Sequence, residues 1–155
     1  MAELRKEAFT MALYVAICLL AALIALPVDG AAHAHVIGII WGVTVGLALA
    51  HWFAFRLSAR LVGTGRVHPH DVETAAAQLS GAVVVALLAS VPVLVFPTSM
   101  ELEVVELLLA GFVALVGYAV ARSGGASLAG ALVYAFVVLA AAVLIAELKN
   151  RLAGH

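Results

Sequence analysis

Residues 38–52 read "GIIWGVTVGLALAHW". Gly38, Gly42 and Gly46 recur every four residues in an otherwise apolar run, which then meets His51 and Trp52. Four-residue spacing places the three glycines on one face of a helix. Ala50 and Ala54 continue the series. A face without side chains lets a second backbone approach closely, in a medium where water-driven burial gives no help. The stretch therefore reads as the packing face of a membrane helix, and the second helix as the main packing helix. Its partner is either another helix of the chain or another subunit.

Composition agrees with that medium. Of 155 residues, 66% are hydrophobic and 11% charged, and the mean hydropathy is +1.19, well above soluble-domain usage. The chain reads as one domain, an integral membrane protein of bacterial plasma-membrane type, with the lipid bilayer as its surroundings. A net charge of −1 gives no basic field to attract nucleic acid, which is dropped as a partner. Cys18 is the one cysteine, so an internal disulfide and a multi-cysteine zinc site are excluded. The run from 9 to 26 exceeds the roughly 7–15-residue core of a signal peptide and reads as an uncleaved helix.

A helix needs about 20 apolar residues to cross about 30 Å of hydrocarbon. Five runs approach this, predicting an all-α membrane protein with helices over 8–28, 36–57, 70–97, 99–121 and 126–147. The alternative is four spans plus one re-entrant segment, the fourth run being the shortest. Turn residues punctuate the runs: Pro27 to Gly30, Gly63 and Gly65, Pro97, and Ser123 to Gly125. Thr98 and Glu101 fit a capping box at the start of the fourth helix, and Pro69 and Asp71 suit the first turn of the third. Arg5, Lys6, Arg56, Arg60, Arg66 and Arg122 fall on one side, against Lys149 and Arg151 on the other, which predicts N-in, C-out.

This topology sorts the polar residues. His33, His35, Glu101, Glu103 and Glu106 form an outer vestibule, whose carboxylates attract cations or simply suit helix ends. On the inner side His68, His70, Asp71 and Glu73 gather the ligand types that divalent metals accept, although short loop histidines are more often solvated. A divalent metal is thus the candidate cofactor. His51 lies within the span, about 22 Å along the helix from Val36. His33, Thr44 and His51 fall almost on one line, offset from the glycine face. Ionisable residues at such depth face a bundle interior or water, so His51 and Thr44 are the candidate transport pathway. The competing reading is a neutral histidine bonding a neighbouring helix beside an interfacial Trp52. No nucleophile elbow, phosphate loop or zinc-protease motif occurs, and the chain reads as a non-enzyme.

From the second run onward the layout resembles the vacuolar iron transporter family. "GLALAHWFAFRLSARL" (46–61) is similar to that family's second helix, with His51 near the place of a glutamate. "TAAAQLSGAVVVALLASVPVLV" (74–95) resembles its third helix, and "GYAVARSGGASLAGAL" (117–132) its basic hairpin into the fifth. The family's Asn-Asp-Gly signature and first-helix aspartate are missing from "FTMALYVAICLLAALIALP", and 58–78 is short where the family has a glutamate-rich insert. The resemblance therefore implies a five-helix fold and a dimer more than iron transport.

Two functions follow as expectations. The first is a homo-oligomeric, preferably dimeric, cation transporter or channel for a divalent metal or protons. An imidazole path would make it pH-sensitive. The second is a non-transporting scaffold or accessory subunit, favoured by the scarcity of charge within the spans.

Overall fold

The computed structural model describes residues 2–26, 33–62 and 69–152. Within them the chain forms five helices: α1 (Ala2–Ile24), α2 (His33–Val62), α3 (Pro69–Val95), α4 (Thr98–Ser123) and α5 (Leu128–Leu152). Each is long and apolar enough to cross a membrane. The fourth is a full helix with an apolar stretch of 23 residues, Glu101–Ser123, and is of span length like the others.

The helix ends follow local chemistry. α1 stops at Ile24, short of the expected 28, and Leu26 N–H closes a tight turn on Leu23 O at 2.9 Å. Pro27 follows, and a residue before proline is pushed out of the helical region. α3 begins at Pro69 as its sequence suggests, the missing N–H costing nothing in a first turn. Pro92 sits within its last turn and a half and removes one donor there. α4 closes with a Schellman motif: Gly125 adopts φ 84°, its N–H donates to Arg122 O, and Ala126 N–H donates to Ala121 O. Ser127 then caps α5, its Oγ accepting from Gly130 N–H at 3.2 Å.

Contacts show how the helices alternate. Gln78 of α3 bonds Glu7 of α1, and further along both helices Gly81 lies against Ala8 and Ala12, so these two run in the same direction. Gly117 of α4 lies against Ala135 and Val138 of α5, a late part of one helix on an early part of the next. The beginnings of α2 and α4 meet through His33 and Glu101. The bundle is therefore up-down throughout, with α1, α3 and α5 starting at one end and α2 and α4 at the other.

The centre of the bundle is the α1–α3 pair, which shares the most extensive contact. Met11, Val15, Leu19 and Leu23 of α1 interlock with Ala82, Val85, Ala86, Ala89 and Val93 of α3. Within the single chain, then, the most extensive packing is not made by the second helix. α2 touches the core through a narrow stripe, Val36, Ile40 and Thr44. Cβ atoms built at Gly38, Gly42 and Gly46 would meet nothing within 4 Å. Among the described residues the glycine face is open. Among the described residues the closest approach of a second backbone is at Gly81, where a Cβ would run into Ala8 O.

Candidate functional site

α4 buries Glu101, Val105, Leu109, Val113 and Gly117, one residue in every four. That stripe rotates Glu101 into the bundle. The expected capping box is corrected accordingly: Pro97 occupies the N-cap with φ −66° and ψ 155°, no side chain caps the helix, and Glu101 N–H is satisfied by Pro97 O. Proline at the cap offers no hydroxyl, and Thr98 is already helical, so the Glu101 carboxylate is free to turn inward.

Glu101 is 1% exposed. Its Oε2 is paired with Nδ1 of His33, whose own side chain is half exposed, whereas Oε1 has no hydrogen-bond partner among the described residues. A carboxylate withdrawn from water is costly unless it is paired or neutralised. The His33 imidazole is the polar group that faces the carboxylate, and the other carboxylate oxygen keeps its lone pairs unused among the described residues.

The other expected vestibule residues do not join this pair. His35 and Glu103 are exposed and Glu106 is half-buried on another side of α4. Among the described residues no group of three or more histidine, cysteine or acidic side chains converges as metal ligands would. The inner group is placed only in part: His68 lies outside the described residues, as do the side chains of His70 and Asp71, and Glu73 is exposed.

Below Glu101 the bundle is apolar. Leu19, Leu23, Val85, Val93, Val105 and Leu109 fill it with almost no exposure. Val36 and Ile40 continue the seal along α2. Thr44 is 2% exposed, and its hydroxyl donates to Ile40 O of its own helix at 2.7 Å. Ser90 is satisfied the same way by Ala86 O. Buried hydroxyls here close on their own helices and leave no polar passage among the described residues.

His51 shares the Thr44 face of α2, about 10 Å further along, but its surroundings differ. It is exposed, in a cleft of about 520 Å³ between α2 and α3 with a wall from α1. Met11, Ala48, Trp52, Ala75 and Gln78 line the cleft with it. Gln78 Nε2 donates to Glu7 Oε2 at 2.7 Å and clasps α3 to α1 beside the cleft. Arg56 stacks its guanidinium 4.8 Å from the Trp52 ring centroid. Sequence reading did not single out Gln78, Glu7 or the Trp52–Arg56 pair, although the four-residue spacing of the last was available.

Comparison with family models, with curated proteins and with solved structures finds no match.

Proposed function

We propose that the protein is an integral membrane subunit, inserted N-in and C-out in a bacterial-type plasma membrane. It assembles as a homo-oligomer, a dimer first, and moves a cation, a proton or a divalent metal, across the bilayer. The observation that carries this reading is Glu101, a carboxylate buried almost completely, with His33 as its partner. Ionisable groups placed so are costly and mark ion-handling positions in membrane bundles. His33 also begins the α2 line that continues through Thr44 to His51. The apolar seal of Leu19, Leu23, Val105 and Leu109 beneath Glu101 fits a carrier in a closed state better than an open channel. Exchange would require α2 to part from the bundle, which it touches through the narrow buried stripe of Val36, Ile40 and Thr44. No catalysis is assigned.

The open glycine face of α2 supports a partner copy there, and the resemblance in helices two to five points the same way. The second reading, a non-transporting scaffold, is favoured by the dry interior. Proteoliposomes separate the two. Vesicles containing the protein and a trapped pH-sensitive or divalent-sensitive dye are expected to dissipate an imposed gradient faster than empty ones. Glu101→Gln and His51→Ala are expected to return the rate toward that of empty vesicles. Wild-type flux equal to empty vesicles would establish the scaffold, and flux unchanged by His51→Ala would remove that residue from the path.

A further inference from the structure

The cleft that His51 lines is otherwise almost wholly apolar, and that apolar wall is a chemistry that cation movement does not use. It holds about 520 Å³ between the second half of α2 and the first half of α3, with Met11 of α1 at its back. Ala48 and Ala75 face each other's helices where larger side chains would close the gap, and His51 and Gln78 are the polar residues of the lining. An occupant must therefore be slender and apolar over most of its length.

Trp52 also borders a second, smaller hollow, lined by Phe53, Arg56 and Leu57. There Arg56, one helical turn or about 6 Å along the axis from Trp52, is held over the indole at 4.8 Å. Among the described residues Arg56 makes no ion pair with a carboxylate, whereas Lys6 at the same end is engaged by Glu3 at 3.8 Å. A fixed guanidinium without an anion is a bidentate phosphate binder. Tryptophan is enriched at headgroup level, and basic pockets between membrane helices accept anionic lipid headgroups.

We propose that this cleft is a binding site for an anionic phospholipid, one acyl chain lying along Met11, Ala48 and Ala75 and the headgroup phosphate held by Arg56. The His51 ring lies between these two regions, at the level of the ester oxygens. The proposal rests on insertion in a bilayer, and it is independent of whether a cation moves.

Native mass spectrometry of the detergent-purified protein with equal dioleoylphosphatidylglycerol and dioleoylphosphatidylcholine tests it. The anionic lipid is expected in about fivefold preference, the advantage of one cation near an anionic surface. Arg56→Gln is expected to bring the two lipids to parity, and Arg56→Lys to keep most of the preference. Ala48→Phe fills the cleft and is expected to lower retention of both lipids; Ala76→Phe, from the opposite wall, replaces it if that variant does not fold. Millimolar glycerol phosphate, an anion without chains, is expected not to displace the lipid. Parity in the wild type, preference surviving Arg56→Gln, displacement by glycerol phosphate, or retention unaffected by cleft filling would each overturn the proposal. So would dissociation of oligomers by Ala48→Phe at unchanged lipid retention, which would assign the cleft to a second copy. Because none of these measurements reads flux, failure here and failure of the transport reading are separate results.

Discussion

Gly81→Ala is the substitution on which the packing argument stands most directly. A Cβ at this position would lie 2.1 Å from Ala8 O and 3.0 Å from Ala8 C, both backbone atoms of α1. An ordinary carbon–oxygen contact is about 3.3–3.6 Å, so α1 and α3 must part by roughly 1 Å. A gap of about that size forfeits between a quarter and a half of each affected contact, and the affected contacts are those of Ala12, Val15, Ala82 and Val85 in the core. Overpacking of this kind costs up to about 3 kcal/mol. Replacing glycine by alanine within a helix returns about 1 kcal/mol. The expected net destabilisation is thus about 2 kcal/mol, read as a lower midpoint in thermal or denaturing-detergent unfolding followed by circular dichroism. Gly42→Ala is the matched control, since its Cβ meets nothing in the chain, and in a monomeric preparation it is expected to leave the midpoint unchanged or slightly raised. A Gly81→Ala protein as stable as the wild type, or a Gly42→Ala protein equally weakened as a monomer, would refute the reasoning.

The remaining expectations concern the outer face of α2, the clasp and the buried hydroxyl. Gly42→Leu is expected to convert an oligomer to monomers on size-exclusion chromatography in detergent while leaving the monomer's helicity intact; unchanged size would count against an interface on the glycine face. Gln78→Leu removes the bond to Glu7 and is expected to cost about 1.5–3 kcal/mol, as a hydrogen bond to a charged group does, with Glu7→Gln losing less because an amide still accepts; equal midpoints for Gln78→Leu and wild type would show the clasp to be idle. Thr44→Val is expected to change stability by less than about 1 kcal/mol, because the hydroxyl bonds only a carbonyl that the helix already satisfies. A clear loss of flux in that variant would instead place Thr44 on the path.

Five helices were legible because a span-length apolar run is a strong signal that needs no tertiary information. Their ends were less so. α2 runs on to Val62 past the expected 57, and α5 to Leu152 past 147. Helical backbone continues past the charged residues that end the apolar run, Arg60 in α2 and Lys149 and Arg151 in α5, and hydropathy does not register it. Which face of each helix points inward was poorly written, since lipid-facing and core-facing positions are alike apolar. Leu107 and Leu109 are indistinguishable in the sequence, yet one is exposed and the other buried. The spacing of Gly38, Gly42 and Gly46 was plain, but spacing names no partner, and Gly81 packs closely without any repeat around it. Glu101 was read through the local pattern of Thr98 and Glu101. The stripe Glu101, Val105, Leu109, Val113, Gly117 held the better signal, since it sets the carboxylate in register with core residues.

The central pairing of α1 with α3 bears on how the molecule is made. These helices are not neighbours in the chain, and α2, which separates them, offers α1 only a modest contact. At ordinary rates of synthesis, on the order of ten seconds pass between completion of α1 and completion of α3. During that interval the first helix has its Ala8 and Ala12 surface without the glycine it fits, and the early hairpin with α2 is a holding arrangement. The pace of translation across α2 therefore governs how long that surface is available to other helices.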